Sequence, residues 1–211
     1  MLRCPLCGDS AAKQPVAARV KRDYVRCEKC WLIFMLPSSR LSLDDERAYY
    51  ATHENNPEDS GYLKFLSRLT TPLSPYLVTG MHGLDFGCGP GPAMPTLLAP
   101  LQVTLDNYDP YFFPIVLKPK YDFITSTECF EHFHQPGLEL DKLVALLPNG
   151  GVLAVMTDSW QSEAQFYDWH YTRDPTHVSF FHRRSYDWIC QHYGLTLLEW
   201  QAPRVAIMAR A

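Results

Sequence analysis

The apolar positions of this chain change period along its length, from helical spacing to short buried runs and back. Tyr62, Leu63, Phe65, Leu66, Leu69 and Leu73, between Gly61 and Leu77, recur at intervals of three and four, the signature of an amphipathic helix. An apolar run at 82–86 then reads as a buried strand. A short helix follows over Ala93–Leu98, with Pro95 confined to its first turn, where a missing N–H matters least. Further strands are expected at Val103–Tyr108 and from Tyr121-Asp122-Phe123-Ile124 into Thr125-Ser126-Thr127-Glu128. A helix over Leu138–Leu147 stops at Pro148-Asn149-Gly150-Gly151, ahead of a strand at Val152–Thr157. The last helix, Arg184–Tyr193, is ended by Gly194, and Leu195–Trp200 with Val205–Ala209 makes a closing hairpin across Ala202-Pro203. Strands alternating with helices predict an α/β domain: a mostly parallel sheet with helices on both faces, finished by an antiparallel pair.

The first forty residues do not share this pattern. Cys4-Pro-Leu-Cys7 and Cys27-Glu-Lys-Cys30 are separated by nineteen residues, inside the window of a four-cysteine zinc ribbon. Two residues between cysteines let one tight knuckle aim both sulfurs at a single tetrahedral ion. Gly8 follows the first pair, where such a turn needs positive φ. Val16, Val20, Tyr24 and Val25 fit short antiparallel strands, and Trp31, Ile33 and Phe34 offer apolar surface for docking. A module of this size cannot fold on its own core, and structural zinc contributes about 10–16 kcal/mol of binding free energy. Cys4, Cys7, Cys27 and Cys30 are therefore the expected zinc ligands, and four cysteines leave no open position for chemistry. The domains expected are a ribbon at 1–36, a linker with an N-terminal lid helix at 37–80, and the α/β domain at 81–211.

Composition narrows the picture. The chain has 211 residues and is 46% hydrophobic, enough for one good core and a small appendage. No stretch approaches a membrane span, and the N-terminus lacks the apolar region of a secretory signal. Four of the seven cysteines crowd into the first thirty residues, the layout of a cytoplasmic protein with one metal site. Residues 1–40 hold eight Lys/Arg against three acids, a balance of +5; the net charge of −4 leaves −9 for the rest. A basic head on an acidic body suits an anionic partner, although four zinc-bound thiolates would remove part of that charge.

Leu84-Asp85-Phe86-Gly87-Cys88-Gly89-Pro90-Gly91 carries most of the candidate chemistry. It is a strand ending in an acid and opening into a turn with glycine at 87, 89 and 91, where a ligand can lie directly on the backbone. A dinucleotide fingerprint would place its third glycine one residue later. In an open α/β sheet, ligands sit beyond the carboxyl ends of the strands, and Asp109 and Glu128 fall at two further such ends.

Together with Tyr108-Asp109-Pro110, Tyr121-Asp122-Phe123-Ile124, Glu128-Cys129-Phe130-Glu131-His132-Phe133 and Leu147-Pro148-Asn149-Gly150-Gly151, this turn resembles the class I S-adenosylmethionine (SAM)-dependent methyltransferases over residues 83–211. The resemblance implies a Rossmann-like fold. It also implies SAM bound at Asp85, Gly87, Gly89, Gly91, Asp109 and Glu128, with Asp109 on the ribose and Glu128 towards the sulfonium or amino group. Only eleven residues separate Asp109 from Tyr121, too few for the helix, strand and adenine-contacting acid usual there, so aromatic and apolar packing is expected to hold the adenine. Glu131, His132 and the distant His177 are the candidate catalytic residues. Their arrangement with Glu128 resembles that of metal-dependent O-methyltransferases, which implies Mg or Mn at Glu128, Glu131, His132 and His177. A metal-free base and a purely structural role are the other readings. His53-Glu54-Asn55-Asn56 and Tyr62 are expected to cover the cofactor, while Cys88 and Cys129 fill space. The expected reaction moves a methyl group to oxygen or nitrogen of a small or carrier-bound metabolite. RNA methylation through the basic ribbon, and a non-catalytic SAM-binding adaptor, are the alternatives.

Overall fold

The structure, a computed structural model, describes every residue except Met1, Ala51, His53 and Glu54. In chain order its strands and helices are β1 (Gln14–Val16), β2 (Tyr24–Arg26), β3 (Ile33–Met35), α1 (Leu43–Tyr50), α2 (Ser60–Leu73), β4 (His82–Phe86), α3 (Met94–Leu98), β5 (Thr104–Tyr108), β6 (Phe123–Thr127), α4 (Pro136–Leu146), β7 (Val152–Met156), α5 (Glu163–Tyr167), β8 (Ser179–Phe180), α6 (Arg183–Tyr193), β9 (Leu195–Gln201) and β10 (Val205–Arg210). No helix among the described residues is long and apolar enough to cross a membrane.

Among the described residues, six strands form the main sheet in the order β5-β4-β6-β7-β10-β9. β4, β5, β6 and β7 run parallel, and β10 returns antiparallel between β7 and β9. Every residue of β7 is buried, as expected of a parallel strand covered on both faces. On one face Leu66, Leu69 and Leu73 of α2 and Met94 and Leu98 of α3 pack on Phe123, Ala154, Met156 and Ile207. On the other, Leu140 and Leu143 of α4 and Tyr186 and Ile189 of α6 cover Leu84, Ile124, Leu153 and Met208. The Asp59 side chain accepts a hydrogen bond from the Tyr62 amide at 2.7 Å and starts α2; Gly194 in the left-handed region ends α6.

The segment after β5 adds no strand beside it, so β5 stays at the sheet edge and its neighbour β4 stays next to the cleft. Residues 110–112 make a turn closed by the paired amides and carbonyls of Asp109 and Phe113, and 114–120 continue without a strand or helix. The strand expected from Tyr121 begins at Phe123. Tyr121 is buried, and its hydroxyl donates to Asp106 at 3.1 Å.

The ribbon is joined to the domain by a sheet. β1, β2 and β3 pair antiparallel, and β3 continues onto β8 from the C-terminal half, with Ile33 opposite Phe180 and Phe34 opposite Ser179. The apolar docking surface expected at 31–34 is thus partly a backbone ladder. Cys4, Cys27 and Cys30 lie in the same buried cluster as Phe130, Leu140 and Tyr186. The two knuckles match: the Gly8 amide donates to Cys4 O and the Trp31 amide to Cys27 O, both at 2.9 Å. Their φ angles are +69° and +59°. A tryptophan at positive φ is strained. Its indole stacks on Trp160 at 5.7 Å with planes 6° apart, under the Arg184 guanidinium at 4.0 Å, which offsets that cost.

Candidate functional site

A cleft of about 920 Å³ opens beyond the carboxyl ends of β4, β5 and β6, where a parallel sheet places its ligands. One wall is the glycine turn after β4. The Gly87 and Cys88 amides donate to Tyr108 O at 2.8 and 3.1 Å, tying the turn to the tip of β5. Gly87 has φ +77°, and a Cβ there would lie 2.2 Å from Cys129 Sγ, so only glycine fits. At Gly91 a Cβ would lie 1.9 Å from the Asn55 carbonyl oxygen, because the chain ahead of α2 rests on the turn. Asn55 and Tyr62 both line the cleft, as a cover would; His53 and Glu54 lie outside the described residues.

Gly87, Gly89, Asp109 and Glu128 line the cleft, whereas Asp85 and Gly91 lie behind its wall. Asp85 is 3% exposed and accepts a hydrogen bond from the Thr125 hydroxyl at 2.8 Å. Burial pushes its carboxyl up to about 7, partly offset by that bond. The Asp109 carboxylate is turned towards backbone. It accepts from the Gly89 amide at 3.2 Å and from the Tyr111 and Phe112 amides at 2.8 and 3.1 Å, so the carboxylate expected on the ribose also braces the glycine turn. Tyr111 and Phe112 also line the cleft, in the stretch where aromatic packing was expected.

The opposite wall gathers Glu131, His132 and His177, whose ligand-type atoms all lie within 4.8 Å of one another. Glu131 sits in the short 3-10 turn Phe130–His132 and is fully buried. Its carboxylate accepts from the Thr157 hydroxyl at 2.7 Å and from the Tyr171 hydroxyl. His177 Nδ1 is 2.8 Å from Tyr171 O, and His132 Nδ1 is 3.1 Å from Thr176 O. A carbonyl can only accept, so both Nδ1 atoms carry the proton, and Nε2 is the lone-pair nitrogen of each neutral ring. His177 Nε2 lies 4.0 Å from Glu131 and 3.9 Å from Asp174. Burial lowers the His177 pKa, which keeps the ring neutral near pH 7.

Glu128, at φ +46° just after β6, has its Oε2 3.2 Å from the Tyr171 hydroxyl oxygen, whose one proton is directed to Glu131. Its Oε1 has no hydrogen-bond partner among the described residues and lies 3.9 Å from an Arg204 nitrogen. Burial, then the Glu131 charge, pushes its carboxyl up to about 8. Above the mouth, α1 is held by Glu46, whose carboxylate lies 3.1 Å from His134 Nε2.

Glu128, Glu131, His132 and His177, the expected group, all line the cleft, but only Glu131, His132 and His177 form the close cluster; Glu128 stands outside it. That Thr157 and Tyr171 hold Glu131 was not anticipated. Thr157 follows β7 directly, at the same sheet edge as Glu128, and that position is the one sequence signal for it.

The four N-terminal cysteines form a second cluster, also with all sulfurs within 4.8 Å. Cys4 and Cys30 sulfurs are 3.5 Å apart, as are those of Cys7 and Cys27. Sulfurs bonded to tetrahedral zinc at ~2.3 Å stand about 3.8 Å apart, so this donor set fits zinc.

A parallel α/β sheet closed by an antiparallel hairpin, with a glycine turn at the tip of its first strand, is the fold of the class I SAM-dependent methyltransferases. The family model described as a methyltransferase domain matches residues 59–199, and the chain belongs to that family. Magnesium protoporphyrin IX methyltransferase (ChlM) from Synechocystis PCC 6803, solved with bound SAH, is similar over 80% of this chain and 94% of its own, at 12% identity and TM-score 0.51. The YcgJ protein from Bacillus subtilis is similar over 64% of this chain and 70% of its own, at 14% identity and TM-score 0.50. Identities this low establish a shared fold. No curated protein matches the chain.

Proposed function

We propose that this protein is a cytoplasmic enzyme that transfers a methyl group from SAM to an oxygen or nitrogen of a small or carrier-bound metabolite. The observation that carries this reading is the shared cleft. His132 and His177, with the proton on Nδ1, stand on the same cavity as the Gly87–Pro90 backbone. Residues 1–36 are then a zinc ribbon, 37–80 carry the linker and lid helix, and 81–211 hold the cofactor.

When bound, SAM supplies the electrophilic methyl group and a neutral thioether leaving group. The glycine turn receives the cofactor's amino-acid end on its backbone, and Tyr111 and Phe112 offer stacking surface for the adenine. Asp109, Asp85 and Gly91 shape the turn, with Asp109 retaining lone pairs for ribose hydroxyls. As the new bond to the methyl forms, the acceptor loses its proton to His177 Nε2 or His132 Nε2. Glu131, held by Thr157 and Tyr171, stabilises the imidazolium that results.

Glu131, His132 and His177 are also a donor set for a divalent ion, the second reading. Two imidazoles with one carboxylate suit Mn²⁺ better than Mg²⁺, which prefers oxygen. Calorimetric titration with SAM and its demethylated product is expected to show saturable binding; no response would overturn the proposal. Turnover on a metabolite extract is expected to fall about 10²–10⁴-fold in His177→Ala with SAM affinity kept. Activity that survives EDTA supports the base, and activity lost to EDTA and restored by Mn²⁺ supports the metal.

A further inference from the structure

The ribbon reaches the histidine wall directly. Arg22 lies between β1 and β2, and its Nη1 donates to the carbonyls of Thr172 at 2.8 Å and Asp174 at 3.4 Å. Those carbonyls belong to the turn whose Tyr171 O fixes His177 Nδ1. The Asp174 carboxylate accepts from the Thr176 amide at 2.8 Å, and Thr176 O in turn fixes His132 Nδ1. At the far end of the stretch, the Met35 amide of β3 donates to Val178 O at 2.9 Å, and the Val178 amide donates to Glu131 O at 2.8 Å. Residues 172–178 are thus gripped by the ribbon at both ends; Thr176 O, the anchor of His132, lies between, and Tyr171 O, the anchor of His177, comes immediately before.

We propose that Arg22 is a positioning residue: by holding the Thr172 and Asp174 carbonyls it sets the orientation and tautomer of His177 and, through Thr176, of His132. One of the basic residues of the ribbon then serves the histidine wall. Thr172 is 2% exposed, and a buried carbonyl left without a donor is unfavourable, so the turn rearranges when the guanidinium goes. Both bonds leave one nitrogen, Nη1, held in the guanidinium plane; a lysine ammonium sits on a shorter, more flexible stem and reaches the same two carbonyls less well. The catalytic consequence rests on the proposed function, but the positioning itself does not.

The test compares full-length, zinc-loaded wild type, Arg22→Ala and Arg22→Lys. Long-range ¹H–¹⁵N imidazole spectra of wild type are expected to show His132 and His177 as single Nδ1–H tautomers. In Arg22→Ala the His177 signals should become a tautomer mixture, with zinc content unchanged, SAM affinity within about twofold, and turnover down about 10²-fold as a misplaced base predicts. Arg22→Lys should move the same signals in the same direction by less, and it decides by the same criterion if the alanine protein does not fold. Imidazole spectra unchanged by substitution overturn the proposal. Should SAM bind none of the three proteins, the methyltransferase reading fails while the spectral comparison still decides this one.

Discussion

The glycine wall of the cleft runs over the tips of β4 and β5, neighbours in the sheet, and is mostly backbone, with the Gly87, Cys88 and Gly89 amides donating to Tyr108 O and the Asp109 carboxylate. The histidine wall is made of side chains from four separated segments: Glu131 after β6, Thr157 after β7, Tyr171, and His177 ahead of β8. The first is a local device with little room for change, because an added methyl strikes Cys129 or Asn55. The second is an assembled device whose accuracy depends on supports outside the cleft, among them the ribbon strand β3 and Arg22. Damage to the ribbon should therefore reach the histidines before it reaches the glycine turn.

The largest break in this comparison is expected from Cys27→Ser. Cys27 is fully buried, and losing one thiolate removes most of the zinc binding energy, of order 10 kcal/mol in apparent terms. The variant should lose its zinc and drop in Tm by more than about 10 °C. Metal analysis with scanning calorimetry checks this; a zinc-free variant with the wild-type Tm would show the ribbon to be dispensable.

A smaller, one-sided break is expected from Gly91→Ala. The new methyl displaces the Asn55 segment, at a cost of about 1–3 kcal/mol. SAM affinity should weaken about tenfold by calorimetry, while the imidazole tautomers and the zinc content stay as in wild type. A change in the histidine signals would mean the two walls are coupled more tightly than their construction suggests.

A probe that leaves the fold and both walls in place is Asp85→Asn. With its carboxyl at about 7 in the folded protein and near 4 when unfolded, Asp85 holds a proton in the native state that the unfolded chain has released. The stability this gives is complete below pH 4 and lost as pH rises through 7. Urea unfolding at pH 5 and pH 8 should show the wild type losing on the order of 2–4 kcal/mol more than the asparagine variant over that interval. Parallel slopes for the two proteins would place the Asp85 carboxyl elsewhere on the pH scale.

Much of the architecture was legible along the chain. The helical period of α2, the short runs of β4 and β7, and the closing hairpin lie within a residue or two of where apolar spacing puts them. The missing strand beside β5 follows from the shortness of 110–120. The site was legible where chemistry is local: the glycine turn and the paired cysteines. It was less so where a residue's partner is distant. Asp85 and Asp109 both sit at strand tips, yet one turns to Thr125 and the other to the amides of Gly89, Tyr111 and Phe112. Trp31 occupies a positive-φ position where spacing suggests glycine, and only its stack on Trp160 makes sense of it.

What the residues alone decide is whatever depends on neighbours a few places away: periodicity selects helix or strand, alternate glycines permit the turn, and two-residue cysteine spacing sets the knuckles. Folding in three dimensions decides which nitrogen of each histidine carries the proton and what steadies Glu131. Arg22 and Thr172 are 150 positions apart, and Tyr171 and Glu131 are 40 apart. Hydrogen bonds over such separations leave no periodic trace in a sequence, because the sheet, not the chain, brings their ends together.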